Sequence, residues 1–371
     1  VSVVQALAGG GRPGRELAIR IDLLRSIGPG EAWRRKRDDA RLAQRASDGR
    51  RPGYTRIWAD AAQAIGAQMA DLGAGFLEFR RGDARARAWN NWVGLDDLVT
   101  WRLSLDKALV HRLLAEVQLP VPEHLGFDAR ETTAARAFLE RAGGPCVVKP
   151  LGAAGGSGAT SSVRTPPQLA RAILRARRHG RRLLIERQVP GDVYRLLFLD
   201  GELLDVIRRR PPRVRGDGRS SIAALIAAEN DRRFADADGE RPWLLRADLD
   251  AVLTLEGRGL RLSSVPQAGE WVAVKTAVSQ NGPHDNETVL HEVGPQIVEQ
   301  ARLAAAALGI RLAGVDVITT DPKTSLSQSA GVVLEVNATP GLHYHYEVSD
   351  RRRAVPVAVP ILRRLLEEGG S

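Results

Sequence analysis

The sequence predicts an α+β or α/β protein whose sheets are mostly antiparallel. Strands and helices are interleaved without the strict alternation that a doubly wound parallel sheet requires. Two apolar runs, 194–199 and 203–210, are joined by Asp200-Gly201, a dipeptide suited to a two-residue hairpin. Two more near the C-terminus, Gly314-Val-Asp-Val-Ile-Thr-Thr320 and Val332-Val-Leu-Glu-Val-Asn-Ala-Thr-Pro-Gly341, read as strands that can pair as neighbours. With 371 residues, 43% of them apolar, the chain can bury a proper core and hold two or three packed units.

Residues 1–103 read as a unit of their own, rich in Gly and Arg at the start. Gly9-Gly-Gly11 is a flexible segment rather than a phosphate loop, because no strand clearly precedes it. Residues 34–51 read as a solvated helix and loop, since acids are interleaved with the bases. Helical spacing runs over 59–72, and Gly75-Phe-Leu-Glu-Phe-Arg-Arg-Gly-Asp-Ala-Arg-Ala-Arg-Ala-Trp89 reads as a hairpin turning at Gly82-Asp83. A helix begins at Ser104, with Asp106 and Lys107 in its first turn and Leu109, Leu113 and Leu114 on its apolar side, and stops before Pro120 and Pro122. Then come a helix over 132–142, a strand over 146–149, the glycine-rich stretch Pro150-Leu-Gly-Ala-Ala-Gly-Gly-Ser-Gly158, a helix over 167–178 and a strand over 183–189. Beyond the hairpin, one long helix over 288–308 feeds the two C-terminal strands, and a helix over 355–368 closes the chain.

Composition narrows the function classes. No run of eighteen apolar residues occurs, so no membrane span is expected, and the first residues lack the basic flank of a secretory signal. Cys146 is the only cysteine, which excludes intrachain disulfides and fits a reducing cytoplasm. In Pro145-Cys-Val-Val-Lys149 it reads as a buried strand residue, with no His or acid beside it to make a nucleophile. The formal charge of +10 suits a polyanion partner, or phosphate and carboxylate ligands drawn to a basic cleft. Only five of the 54 basic residues are lysine. A chain so biased toward Arg keeps Lys where a compact, flexible point charge is needed, as at a nucleotide phosphate. Lys36, inside Arg34-Arg-Lys-Arg37, and Lys323, in a turn, read as solvated surface, which leaves Lys107, Lys149 and Lys275.

Alternate side chains of a strand share a face, so Glu335 and Asn337 point the same way, and Asp316 joins them if the two C-terminal strands pair. Three hard oxygen donors on a sheet suit Mg2+, which binds through one or two carboxylates plus substrate phosphates. Lys149 ends an apolar strand, and the glycines after it, with Gly155, Gly156 and Gly158 around Ser157, let backbone N–H groups close on phosphate oxygens. The pattern is neither a Walker A loop nor a dinucleotide fingerprint, and a plain flexible loop is the competing reading. Leu183-Leu-Ile-Glu-Arg-Gln-Val-Pro-Gly191 is a strand ending in an acid and a turn, an edge suited to a purine with Glu186 on its amino group, although a strand-end Glu is also ordinary.

The order Lys107, Lys149 with its glycine loop, Glu186, Lys275, Asp316 and Glu335-x-Asn337 resembles the ATP-grasp superfamily of carboxylate-amine ligases, and within it the ATP-grasp part of the cyanophycin synthetases, with bifunctional glutathione synthetases nearby. The resemblance is carried by Asp106-Lys107 through Leu119-Pro-Val-Pro122, Val147-Val-Lys-Pro-Leu151, Pro190-Gly-Asp-Val-Tyr-Arg-Leu-Leu197, Val214-Arg-Gly-Asp-Gly-Arg-Ser-Ser-Ile222, Leu262-Ser-Ser-Val-Pro-Gln-Ala-Gly-Glu270 and Glu335-Val-Asn-Ala-Thr-Pro-Gly341. It implies an ATP-grasp fold over 104–371, two α+β lobes with ATP between them, with a lid subdomain over about 125–190 and a C-terminal subdomain over about 191–371. Residues 1–103 would precede it as a smaller N-terminal domain.

The resemblance also implies Lys107 and Lys149 on the ATP phosphates, Lys275 reaching them from the lid side, and Glu186 to Val189 as the adenine edge. Asp316, Glu335 and Asn337 would hold Mg2+, two ions by the family's pattern, with Mn2+ as the substitute. Residues 339–344 would line the acceptor site. Similar enzymes carry an acid two residues before the arginine aligned with Arg195; here that place is Val193, with Asp192 one step earlier as the ribose candidate. Their glycine loop often includes His and Arg, whereas this one has Gly155 and Ser157, so phosphate closure rests on backbone amides and lysines. Ser279-Gln-Asn-Gly282 replaces a Ser-Thr-Gly-Gly-like segment.

The implied reaction joins a carboxylate to an amine, in amino acids or short peptides, through an acyl phosphate, and the protein's part is positioning and charge neutralisation. Lys275 is expected among the catalytic charges, and Arg195 or Arg209, with Arg210 behind them, on the tetrahedral oxyanion. His343 and His345 read as acceptor-wall residues rather than a transition-metal pair. A glutathione-synthetase-like or peptide-tail-modifying ligase is the alternative within the fold. A basic polyanion-binding protein on a retained scaffold is the alternative outside the class, and the lack of aromatic-basic interleaving argues against nucleic acid. Similar ligases are commonly homo-oligomers. The sequence ends at Ser371 without the Mur-ligase-like half of the cyanophycin synthetases, and is not expected to make that polymer alone.

Overall fold

The computed structural model describes residues 12–44, 52–152, 155–237 and 242–369. Gly9-Gly-Gly11, the end of the expected helix and loop over 34–51, and Ala153 and Ala154 of the glycine-rich stretch lie outside the described residues. In chain order the elements are α1 (Arg12–Gln44), α2 (Pro52–Ala64), β1 (Gln68–Gly73), β2 (Phe76–Arg81), β3 (Ala84–Trp89), β4 (Trp92–Val93), α3 (Leu98–Ser104), α4 (Lys107–Glu116), β5 (His124–Asp128), α5 (Thr133–Ala142), β6 (Cys146–Pro150), β7 (Thr160–Val163) and α6 (Pro166–Ala176). They continue with β8 (Arg182–Arg187), β9 (Asp192–Leu199), β10 (Glu202–Arg209), β11 (Arg213–Arg215), α7 (Ile222–Asp236), α8 (Leu249–Glu256), β12 (Trp271–Ala273), β13 (Asn286–Thr288), α9 (Pro295–Ala307), β14 (Leu312–Thr319), β15 (Val332–Asn337) and α10 (Ala358–Glu368). Among the described residues every strand pairing is antiparallel.

Two units emerge, each built from three stretches of chain. The first draws its described residues from 12–44, 122–188 and 211–281. Its four-stranded sheet runs β5-β8-β6-β7, and Phe127, Phe138, Leu169, Ile173, Leu183 and Ile185 pack beneath it with Leu253 of α8. Helix α6 starts where it does because Thr165 and Gln168 form a capping box and a proline fills the first turn. Helix α1 bends at Gly28 (φ 79°), followed by Pro29. Of its paired acids, Asp38 is buried and accepts from Asn230 at 3.4 Å, whereas Asp39 stays exposed, as expected of a solvated face, and accepts from Arg246 at 2.7 Å; Leu42 is buried. Helices α7 and α8 were not legible as periodic runs; each begins on a side-chain cap, Ser221 and Asp248.

The second unit draws from 52–121, 189–210 and 282–369. Its central sheet runs β13-β10-β9-β14-β15, joined at the β9–β10 turn by Asp200 and Gly201, both with positive φ as such a turn demands. Both faces are buried, so the period-two alternation sorts one apolar set from another. Tyr194, Leu196 and Phe198 of β9 face α4 and α9 with Ile297 and Ala301. Leu197 and Leu199 face α2, α10 and the sheet β1-β2-β3-β4, in a core holding Trp58, Phe79, Ile361 and Leu365.

Two expectations are corrected. The helix over 59–72 is α2, which ends at Ala64; Gly66 takes positive φ, and the later apolar residues enter β1, where Met69 pairs with Phe79. The long helix over 288–308 is strand β13 plus α9, because Gly294 and Pro295 start the helix afresh and 286–288 pairs with β10. Residues 52–95 share one core with β9, β14 and α10, and the first unit takes in 211–281 together with 122–188.

Candidate functional site

In the second unit, strand register assembles a charged row. Asp316 lies opposite Arg195 on one side and Glu335 on the other, so the three side chains share a sheet face. That face is apolar at Leu197, Leu199 and Leu312 and turns charged toward the other end of the strands. Arg195 donates from Nε and Nη2 to the two oxygens of Asp316 at 2.7 and 2.6 Å, both residues being buried. Burial works against the guanidinium's charge, but Asp316 outweighs it and raises the Arg195 pKa above its ordinary value. Lys107 opens α4, whose N-cap is Asp106, and its Nζ lies 3.7 Å from Glu335. A cation at a helix N-terminus gains nothing from the helix dipole, so its placement is set by the carboxylate it faces.

A bulge makes this geometry. Asp316 pairs with Glu335, yet Val317 pairs with Val333, so Leu334 is an extra residue in β15. The bulge turns Val333 into the core while Glu335 and Asn337 face the other way, and Nε2 of His111 meets the Leu334 carbonyl at 3.1 Å. Asn337 donates its amide to the Gly314 carbonyl at 3.2 Å, leaving its amide oxygen as the atom suited to a cation. Gly314 is glycine because a Cβ there would sit 2.7 Å from Pro340. Asp192 opens β9 opposite Thr319, and Val189 is half-buried just before it.

Beyond Pro340 the chain turns through 341–346. Tyr344 lies under two guanidiniums, Arg209 at 4.1 Å and Arg195 at 5.5 Å from its ring centre. Burial lowers the Arg209 pKa from its ordinary value. His343 stacks on Tyr344, ring centres 4.0 Å apart, and its Nδ1 is hydrogen-bonded to the Tyr54 hydroxyl at 2.9 Å. His345 is fully buried with Nδ1 2.7 Å from Asp205. His343 is thus directed to Tyr54 and His345 to Asp205 in the core, so the two do not converge as a metal pair.

In the first unit, Lys149 on β6 and Glu186 on β8 share a face, and Nζ lies 2.8 Å from both carboxylate oxygens. Lys275 is only 3% exposed: its Nζ donates to Asp248 at 2.8 Å, and Arg175 donates to the same oxygen at 2.5 Å. Burial opposes ionisation of Asp248, but Arg175 and Lys275 outweigh it and hold its pKa far below the carboxylate range. In the glycine loop Gly155, Gly156 and Gly158 all take positive φ. Gly156 approaches Ser279 so closely that a Cβ would lie 2.6 Å from the serine Cβ. The turn carrying Ser279 is pinned, since Gln280 accepts from the backbone N–H of Arg246 at 2.9 Å and from Arg233 at 2.9 Å.

Among the described residues no group of three or more His, Cys, Asp or Glu side chains could hold a metal ion. The donors that remain are Asp316, Glu335 and the Asn337 amide oxygen. A carboxylate has about four acceptor positions, so the two Asp316 bonds to Arg195 leave capacity, and Glu335 keeps 31% of its side chain exposed. Two carboxylates with an amide and room for phosphate oxygens is a hard-cation set, and it fits Mg2+. Cys146 is buried, and burial pushes its thiol up to about 11, as an inert strand residue requires. Sequence reasoning missed Asp248, Arg175, Tyr54 and Asp205. Only Asp248 left a signal, an acid directly before the apolar run of α8.

No family model matches the chain. It is 33% identical over 248 residues to the cyanophycin synthetase of Trichormus variabilis, covering 66% of this chain and 27% of that protein. Against the cyanophycin synthetase of Geminocystis herdmanii the identity is 30% over 274 residues, covering 72% and 30%. Against the glutathione biosynthesis bifunctional protein of Mannheimia succiniciproducens it is 28% over 293 residues, covering 76% and 38%. The chain thus spans between 27% and 38% of these relatives' length. A solved bifunctional glutathione synthetase from Pasteurella multocida superposes with a TM-score of 0.55 at 24% identity, over 86% of this chain and 44% of that one, a likeness of fold.

Proposed function

We propose, from the premise that this chain belongs to the ATP-grasp superfamily and resembles the ATP-grasp region of cyanophycin synthetase, that it is an ATP- and Mg2+-dependent ligase. It joins the carboxylate of an amino acid or short peptide to an amine through an acyl phosphate. The observation that carries the reading is the row Arg195, Asp316, Glu335 with Lys107 at its end. With Arg209, that group holds three cations against two carboxylates, and a divalent ion would leave a strong positive excess that a triphosphate offsets. When bound, Mg2+ supplies charge neutralisation between phosphate oxygens and the substrate carboxylate.

Lys107 and Lys149, with the amides of Gly155, Gly156 and Gly158 and the Ser157 loop, are assigned to phosphate; Glu186, Val189 and Asp192 are assigned to the nucleoside. Lys275 would reach phosphate by leaving Asp248, which keeps Arg175 as partner. Arg209 is preferred to Arg195 for the tetrahedral oxyanion, because both edges of Arg195 that reach Asp316 are already engaged.

The test is an ADP-release screen of amino acids and short peptides in pairs, with product mass analysis. A ligase gives ADP release that needs both partners and a product lighter than their sum by one water. ADP release independent of any amine, with steeply salt-sensitive polyanion binding, would replace this reading by the binding-protein one.

A further inference from the structure

Helix α2 belongs to the stretch whose role the sequence leaves blank, yet one of its residues reaches the loop assigned to the acceptor. Tyr54 is almost wholly buried in the core that holds Ile57, Trp58 and Leu342, so its ring is fixed. Its hydroxyl is 2.9 Å from Nδ1 of His343, and the two rings meet edge-on with centres 5.7 Å apart. His343 in turn stacks on Tyr344, and Tyr344 presents its face to Arg209 at 4.1 Å. The loop is held at two further points by the second unit's own residues: Asn91 donates to the Thr339 carbonyl at 2.8 Å, and Asp205 holds His345 at 2.7 Å. Gly341 allows the turn, since a Cβ there would lie 2.8 Å from the His343 ring.

We infer that Tyr54 is a positioning residue for Arg209: through His343 and Tyr344 it fixes the ring against which that buried guanidinium packs, so that the segment before residue 104 shapes the acceptor side. The inference rests on the ligase reading for its functional half. Its physical half stands on geometry. A guanidinium gains from an aromatic face only while the face is held at the right distance and tilt. Removing the hydroxyl that orients His343 loosens the stack without emptying the core, because the Tyr54 ring remains. A positioning loss of this kind lowers turnover and acceptor use, while nucleotide binding, which involves other residues, is spared.

The experiment compares the full chain with Tyr54→Phe, Tyr344→Leu and Tyr344→Phe. Hydrogen exchange by mass spectrometry follows residues 341–346, and steady-state kinetics use Mg-ATP with whichever amino-acid pair gives most ADP release in the screen above. Tyr54→Phe should speed exchange in 341–346 about fivefold, the effect of losing one hydrogen bond. It should also lower kcat about tenfold and raise the amine KM, with the ATP KM within about twofold. Tyr344→Leu should show the same split, and Tyr344→Phe, which keeps the ring face, should recover most of the loss. Unchanged exchange in Tyr54→Phe overturns the inference whatever the activity, and so does an equal rise of both KM values with no fall in kcat. If no pair gives ADP release in the parent chain, the ligase reading fails, and exchange alone decides whether Tyr54 holds the loop.

Discussion

Asp316 is held between a cation and an acid, and the two neighbours make different probes. Glu335 is partly solvated and its partner Lys107 lies at the end of the row, so Glu335→Gln removes charge without stranding a buried ion. We expect turnover to fall by at least about a thousandfold with the melting temperature within about 2 °C of the parent, checked by coupled ADP assay and calorimetry. Asp316→Asn is the opposite case. It leaves the buried Arg195 guanidinium without its carboxylate, and breaking such a pair costs about 3–5 kcal/mol, to be read from urea unfolding. His345 gives a pH signature. Burial outweighs the opposing effect of the bond to Asp205 and holds the imidazole below its ordinary value. The unfolded chain takes up a proton near pH ~6.5 that the folded one refuses, so stability falls as pH drops from about 7 toward 5. The urea midpoint should follow that direction, and the slope should flatten in His345→Gln.

At the scale of elements, the glycine loop is the place where backbone freedom is indispensable. Gly156 sits at φ 69° with Ser279 against it, so Gly156→Ala meets both a left-handed strain of about 1–2 kcal/mol and a collision with a pinned turn. ATP affinity should weaken about tenfold while the unit stays folded, a result that calorimetric titration with ATP can check. A substitution that leaves ATP affinity untouched would remove the loop from the phosphate assignment. The bulge at Leu334 has comparable weight in β15. One extra residue decides that Val333 is core and that Glu335 and Asn337 face Asp316's side of the sheet.

For the whole molecule, the consequence lies in how the second unit is built. Trp58, Phe79 and Leu77 share a core with Leu197, Leu312, Ile361 and Leu365. Each large aromatic contributes about 3–5 kcal/mol by burial, so removing residues 1–103 exposes more apolar area than a marginally stable protein tolerates. The truncated chain should aggregate or bind a hydrophobic dye strongly. A soluble, cooperatively melting fragment over 104–371 would instead establish the expected boundary between 103 and 104 as a folding boundary.

Alternation and turn chemistry made much of this protein readable in one dimension. The hairpin at Asp200-Gly201, the strand holding Lys149, and the shared face of Glu335 and Asn337 all follow from local rules that need no partner, whereas the helix expected from Ser104 begins at Lys107 with Asp106 as its cap and not in its first turn. Local rules failed where a partner decides. A helical period over 59–72 yields to strand pairing at Met69, and 286–288 is a strand because β10 is there to receive it. Asp248 and Arg175 come from distant stretches and meet Lys275 only in the folded chain. Tyr54 reaches His343 across 289 residues. The sequence by itself determined the kinds of group that could work here, since side-chain chemistry and period-two geometry are carried by each stretch alone. The tertiary structure decided which carboxylate neutralises which cation, because that depends on register, on one bulged residue and on burial, none of which is a property of any single segment.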